Sequence, residues 1–272
     1  MSEEKQLGKY RIIRELGHGG EGSVCLAEDE SLGRLVAVKR LREQEEKKEE
    51  KEKEKERREP EKEPEKREEP KRGERIREEA AFLRDLRHPM LPVVYELLWE
   101  EGWYLVMEYL QGVTLQKYIE KNGFVQEGQA RIWAAQLADV LVYLHTRKPP
   151  VIYSDLKPAN IIVCPDGQLR LVDFGAALTR SFGADRNRVM AVTPGYGAPE
   201  QQGQRGIQQT GQAGSGYTGS YADERSDIYA FGKTLYYMVT GADPGRPPYA
   251  VLPVYEYQPL LGGDLEGVIR EC

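Results

Sequence analysis

Thirty consecutive residues of this 272-residue chain, 43–72 (EQEEKKEEKEKEKERREPEKEPEKREEPKR), carry 14 acidic and 12 basic side chains and no apolar residue except proline. A stretch with nothing to bury cannot run through a core. The folded parts must therefore lie on either side of it, and the run is read as a solvated insertion in a surface loop rather than as a binding segment. Glu and Lys at i,i+4 spacing favour partial helix before Pro60, and the prolines from Pro60 to Pro70 favour irregular chain. A second low-complexity stretch, residues 201–220 (QQGQRGIQQTGQAGSGYTGS), reads as a flexible loop.

The first insertion is why charged residues reach 31%, while the hydrophobic share of 39% is ordinary for a globular protein. The length suits two small lobes around a shared cleft or one large domain. A net charge of −6 gives no electrostatic reason to expect nucleic acid or an anionic membrane surface as partner. Three cysteines, Cys25, Cys164 and Cys272, are too few and too scattered for a disulfide framework or a zinc pattern, which fits a reducing, cytoplasmic setting. No run of 18 apolar residues and no secretory signal are visible, so no membrane segment is expected in this stretch of chain.

From Tyr10 to Lys39 the pattern is YRIIREL, a glycine-rich turn, SVCLAED, a tight SLGR turn and LVAVKR, read as three antiparallel strands. After the insertion, Ile76, Ala80, Leu83 and Leu86 repeat at helical spacing up to His88-Pro89, where a helix should stop. Trp103–Tyr109 reads as a buried strand. Ala130, Trp133, Ala134, Leu137, Ala138, Leu141 and Leu144 draw one apolar stripe of a long helix, and the second half of the chain is mostly helical.

Gly17, Gly19 and Gly22 form GxGxxG, a weak signal on its own because dinucleotide-binding folds share it. Those folds open a helix there. Here the glycines lie between two strand-like runs, which makes a hairpin tip whose bare backbone can approach phosphates. Lys39 closes the next strand, on the same side as Ala37. Glu79 lies i+3 from Ile76 and i−4 from Leu83, on the apolar face of its helix, where a carboxylate needs a cation. Lys39 is the natural partner, and Glu78 is the alternative to Glu79. The richest segment is VIYSDLKPANIIV with LRLVDFGAA after it: Asp155, Lys157 and Asn160 alternate with loop formers between apolar strands, and Asp173 follows Asp155 by eighteen positions. Phosphoryl transfer needs such a set: a carboxylate for the attacking hydroxyl, a lysine by the phosphate, and an amide and a carboxylate for Mg²⁺.

These motifs resemble those of protein kinases, most of all bacterial serine/threonine protein kinases, from about Tyr10 to the C-terminus apart from the two insertions. The resemblance implies an α+β, bilobal fold. Residues 1–109 would be an N-lobe of antiparallel sheet plus one helix, and 110–272 a mostly helical C-lobe lacking the last helices. It implies transfer of the ATP γ-phosphoryl group to protein serine or threonine hydroxyls with Mg²⁺, in a signalling role. By it, Leu16–Val24 is the glycine loop, Lys39 the ATP lysine and Glu79 its helix partner. Met107 is the gatekeeper, Glu108 and Leu110 offer backbone groups to adenine, and Val24, Ala37 and Ile162 sandwich the ring. Asp155 corresponds to the catalytic base, Lys157 to the phosphate-contacting lysine, and Asn160 and Asp173 to the Mg²⁺ ligands. Thr193 is similar to the substrate-loop threonine, Glu200 to the glutamate of the APE motif, and Asp227 to the buried helix carboxylate that holds the catalytic loop.

Two departures stand out. The family's His-Arg-Asp is Tyr153-Ser154-Asp155, a non-RD loop. Tyr153 can still pack beneath Phe174, but Ser154 cannot receive a phosphate as arginine does. Phosphorylation at Thr179 or Ser181 is therefore not expected to be required, although Arg180, Arg186 and Arg188 could bind a phosphate locally. The chain also ends at GVIREC, before the arginine that pairs with the APE glutamate, and a membrane anchor could follow. A pseudokinase or nucleotide-binding scaffold is the alternative reading, and a small-molecule phosphotransferase a third; Lys157 and TPGYGAPE argue against the latter.

Because loop closure depends weakly on length, about 0.6 kcal/mol per doubling, replacing residues 43–72 by a short linker should leave the melting temperature within a few degrees of the parent. A drop of ten degrees or so in a thermal scan would show that the run packs on the fold.

Overall fold

The computed structural model describes residues 5–19, 22–41, 80–173, 193–202, 223–249 and 251–272. The charged insertion 43–72 and Ile76 lie outside them, as do residues 203–220 of the second insertion; its first two residues belong to a 3₁₀ turn, Pro199–Gln202. The chain divides into two compact units, Met1–Arg87 with Pro92–Leu110, and His88–Leu91 with Gln111–Cys272.

The first unit is built on one antiparallel sheet. Its strands are β1 (Gln6–Leu7), β2 (Tyr10–Gly19), β3 (Gly22–Asp29), β4 (Arg34–Leu41), β5 (Val94–Trp99) and β6 (Trp103–Glu108), in the order β1-β2-β3-β4-β6-β5. Alternation places Ala27, Val36, Val38 and Val106 on one face, where they join Leu7 and Tyr10 in a buried cluster. The opposite face carries Val24 across from Lys39, Leu26 across from Ala37, and Ala37 across from Met107. The Tyr10 hydroxyl closes one end of the cluster by donating to Glu96 at 2.6 Å, and burial first, then that carboxylate, pushes its pKa up to about 12.

Residues 80–85 are helical, with Ala80, Leu83 and Leu86 buried as the periodicity demands. The helix stops three residues short of His88. Leu86 N–H turns back to the Leu83 carbonyl at 3.2 Å, and Pro89 disfavours helical backbone at the residue before it.

The second unit holds a small antiparallel sheet of β7 (Val113–Thr114), β8 (Ile161–Val163) and β9 (Leu169–Leu171). Its helices among the described residues are α1 (Leu115–Asn122), α2 (Glu127–His145), α3 (Glu224–Thr240) and α4 (Gly263–Glu271). The apolar stripe of α2 is buried at Ala130, Trp133, Leu137, Leu141 and Leu144; Val140 joins them, while Ala134 and Ala138 are half-buried at the margins. Each fully buried leucine here contributes roughly 1.5–3 kcal/mol by leaving water. Trp133 keeps its indole N–H satisfied by donating to the Gly167 carbonyl at 2.9 Å. Helix α3 opens with a capping box, Asp223 accepting from the Arg225 N–H while the Asp223 N–H donates to the Ser226 hydroxyl, and ends at Gly241 in left-handed backbone. A Cβ at Gly241 would stand 2.0 Å from the Gly123 carbonyl oxygen, so glycine lets the ends of α1 and α3 meet. Among the described residues no helix is long and apolar enough to cross a membrane.

Helix α4 is tied to α2 by charge. Arg131 donates both terminal nitrogens to the Asp264 carboxylate, each at 2.6 Å, and donates to Glu127, whose other oxygen accepts from the Gly262 N–H. The Arg131 guanidinium holds the Asp264 carboxyl down at about 2. A carboxyl depressed in the folded state stabilises it above the unfolded value and loses that effect as pH falls through the folded value. The groups are exposed, so the effect is screened and small. Asp264→Asn should lower the melting temperature by about 2 °C at pH 7, and the gap from the parent should close as pH falls from about 4 toward about 2. A gap independent of pH would remove the ion pair as its cause.

Candidate active site

In the first unit, β2 and β3 form the expected hairpin, with Gly17 paired to Val24 and Gly19 to Gly22. A register shift between Glu15 and Gly17 leaves Leu16 as a bulged, exposed residue at the start of the loop. Among the described residues nothing lies within 4 Å of a Cβ added to Gly17, so they do not require glycine there and leave its backbone open. Lys39, only 7% exposed, sits mid-ladder between Val24 on β3 and Leu105 on β6, and Ala37 is buried beside it. Met107 is half-buried at the end of β6. Glu108 donates its N–H to the Val93 carbonyl at 2.8 Å and takes the Val93 N–H on its carboxylate at 3.2 Å; Leu110 follows, half-buried. Glu79 and the alternative Glu78 lie outside the described residues, and so does the proposed pairing with Lys39.

In the second unit, the segment from Val151 to Asn160 is the centre of a dense hydrogen-bond network. The sequence pattern makes Val151–Tyr153 a strand, but it belongs to no ladder; its backbone is held differently. Val151 N–H donates to the Leu144 carbonyl at the end of α2. Tyr153 N–H and Ser154 N–H donate to the two oxygens of Asp227, at 2.8 and 2.7 Å. Asp227 lies in the first turn of α3 and is 0% exposed. Its charge is compensated by those two N–H groups, by the N-terminal end of the helix dipole and by His145, whose Nε2 lies 2.8 Å from Oδ2. Ser154 is held in left-handed backbone with φ 68°, and among the described residues its side chain reaches the Ile152 carbonyl at 3.4 Å. The Tyr153 ring is fully buried and its hydroxyl donates to the Val172 carbonyl, one residue before Asp173. Phe174, Thr179, Arg180, Ser181, Arg186 and Arg188 lie outside the described residues.

The loop so fixed gathers four polar side chains. Asp155 accepts from Lys157 Nζ at 2.8 Å, from Asn160 Nδ2 at 2.9 Å and from the Thr193 hydroxyl at 2.8 Å. Lys157 also donates to Thr193 Oγ1 at 2.9 Å. Asn160, in a 3₁₀ turn begun by Pro158, is 8% exposed, and both its amide donations go to Asp155, one to the carboxylate and one to the carbonyl. That fixes which end of the amide is nitrogen and leaves its oxygen as the acceptor. The Asn160 carbonyl accepts the Val172 N–H at 2.9 Å, which draws β9 and Asp173 to the loop. Asp173 is half-buried with φ 66°, a backbone state in which a non-glycine residue is kept only by its surroundings. An amide oxygen and a carboxylate form a hard-oxygen donor set suited to Mg²⁺. Ile162, on β8, pairs with Thr114 and Arg170, and Glu200 lies in the turn Pro199–Gln202.

Comparison with known proteins gives this arrangement its family. The protein kinase domain matches residues 10–249. The chain belongs to the protein kinase family. Its relatives include the serine/threonine-protein kinase PrkC of Bacillus subtilis, 31% identical over 240 residues, which cover 87% of this chain and 31% of PrkC. The probable serine/threonine-protein kinase PknB of Lactococcus lactis is 30% identical over 247 residues, 88% of this chain and 33% of PknB. The chain thus spans about a third of the length of these curated relatives. The fold is similar to the crystal structure of the Mycobacterium tuberculosis PknI kinase domain, with a TM-score of 0.64 and 21% identity, over 99% of this chain and 89% of that one.

Two parts of this kinase network escape the sequence pattern. His145 falls one residue after the last apolar position of α2, and nothing local marks it as the neighbour of a carboxylate 82 residues away. The Tyr196–Asp243 contact, at 2.9 Å, joins residues 47 apart; TPGYGAPE draws attention to the first residue, but nothing marks the second.

Removing the Asp227 carboxylate orphans two backbone N–H groups, at about 1–3 kcal/mol each. Asp227→Ala should lower stability by about 3 kcal/mol in urea unfolding. Asp227→Asn should not rescue it, because the amide nitrogen then faces an N–H donor. A loss below about 1 kcal/mol would mean that the loop is held by other contacts.

Proposed function

We propose that the chain is the catalytic domain of a serine/threonine protein kinase that uses ATP and Mg²⁺. The observation that carries this reading is the Asp155 cluster: one carboxylate and one ammonium meet a threonine hydroxyl while an amide holds that carboxylate from its other side, which is the chemistry a serine or threonine acceptor would meet. Mg²⁺ would neutralise charge on the phosphates. Asn160 and Asp173 are the residues that would hold it. Asp155 orients the acceptor hydroxyl and receives its proton as the oxygen attacks phosphorus. Lys157 keeps positive charge beside the transferring group.

For the nucleotide we assign Lys39, positioned by Glu79, to the α- and β-phosphates, and the backbone of Gly17, Gly19 and Gly22, with Leu16, to the phosphate tail. Backbone groups of Glu108 and Leu110, beside Met107, take the adenine edge, and Val24, Ala37 and Ile162 take its faces. The bulge at Leu16, the open space over Gly17 and the burial of Lys39 support this assignment. The protein relatives support protein rather than small-molecule acceptors.

Lys39→Met, Asp155→Asn and Asp173→Ala should each lower phosphate transfer from labelled ATP to a generic basic protein by at least about a hundredfold, about 2.7 kcal/mol, with the fold retained by circular dichroism. Transfer near the parent rate in any of the three would sink that residue's assignment. Nucleotide binding without transfer in the parent would place the chain among scaffolding members instead.

A further inference from the structure

The turn that carries Thr193 has an anchor that the transfer chemistry does not use. Tyr196 and Gly197 N–H groups fold back on the Thr193 carbonyl at 3.2 and 3.0 Å, making a compact turn over residues 193–197. This turn lies on the loop that follows α3. Gly195 has φ 80°, and a Cβ there would stand 2.1 Å from the Pro244 carbonyl oxygen, so the turn rests directly on the Pro244–Gly245 peptide. The buried Tyr196 hydroxyl donates to Asp243 Oδ1 at 2.9 Å. The same oxygen accepts the Gly245 N–H at 2.8 Å. Asp243 Oδ2 lies 3.3 Å from Arg246, and Arg246 reaches Glu120 on α1 at 2.6 Å. Burial, then the Asp243 carboxylate, raises the Tyr196 pKa, so the phenol stays a donor.

We infer that Asp243 is a positioning residue for phosphate transfer: through Tyr196 it holds the turn 193–197 so that the Thr193 hydroxyl stays on Asp155 and Lys157. This rests on the kinase reading above. A threonine hydroxyl bridging base and lysine contributes only while its backbone is fixed, since a displacement of about 1 Å costs on the order of a hundredfold in a positioned reaction. Among the described residues no regular ladder fixes Thr193; its turn is anchored by Asp243 through Tyr196, Asp243 pairs with Arg246, and Arg246 is held by Glu120. The linkage runs from α1 through three side chains to the substrate end of the catalytic loop.

The test uses the full chain with Tyr196→Phe, Asp243→Ala, Asp243→Glu and the double variant Tyr196→Phe/Asp243→Ala. With a generic basic protein and Mg²⁺-ATP, each of the first two should lose about tenfold in kcat while KM for ATP stays within about twofold. The double variant should be no slower than the slower single, because both remove one linkage, and Asp243→Glu should recover part of the rate. Hydrogen exchange across residues 193–202 should rise in Tyr196→Phe and Asp243→Ala while exchange in α2 stays as in the parent. Unchanged exchange at 193–202 overturns the inference, whether or not the parent transfers phosphate. A uniform rise throughout the chain, or a loss carried by KM for ATP, assigns Asp243 a general structural role and also overturns it. A parent without transfer overturns the kinase reading, and the exchange measurement still decides the anchor.

Discussion

One buried carboxylate organises the second unit of this protein. Asp227 accepts the N–H groups of two successive residues, Tyr153 and Ser154, and so fixes the backbone that immediately precedes Asp155. A buried anion is tolerable only when fully compensated, and here the compensation is the very backbone that must be immobilised, plus His145 and the start of a capped helix. Such a contact works in both directions. The loop gains a rigid support, and the carboxylate gains the donors without which it could not be buried.

From that support the rest of the site follows by short steps. Asp155 projects beyond the clamp and collects Lys157, Asn160 and Thr193. Asn160 passes the constraint to Val172 and hence to Asp173, while the Tyr153 hydroxyl reaches the same Val172 from beneath. Two residues in left-handed backbone, Ser154 and Asp173, flank this network; the Ser154 N–H is held by Asp227, and Val172, just before Asp173, is held by Asn160 and Tyr153. Serine in place of arginine at 154 leaves the clamp intact, because the clamp uses the backbone N–H and not the side chain.

How much of this could be read from residues alone depended on sequence separation. Asp155, Lys157 and Asn160 fall within six positions, and a cluster that short betrays itself by composition. The hairpin that carries Gly17, Gly19 and Gly22 was legible because strand-like runs flank it on both sides. The helix periodicity of α2 was legible at Trp133, Leu137, Leu141 and Leu144, but Val140 was not, since a position at the edge of the stripe is buried or exposed according to its neighbours. The apolar run Val151–Tyr153 looked like a strand; its Val151 N–H went to the Leu144 carbonyl and its Tyr153 N–H to the Asp227 carboxylate instead, and side-chain pattern carries no information about where a backbone donor finds its acceptor. Asp227 entered by family resemblance, not by pattern.

The order of residues already carried the local chemistry: which stretches could bury apolar surface, which could not, and which short loops held carboxylate, ammonium and amide together. Those are properties of neighbouring residues, set by side-chain type and period. Tertiary structure alone decided the long-range joints, Asp227 to the loop across 74 residues, His145 to Asp227 across 82 and Tyr196 to Asp243 across 47. A hydrogen bond forms where packing brings donor and acceptor within about 3 Å, and that condition is met only after the helices and strands have stacked.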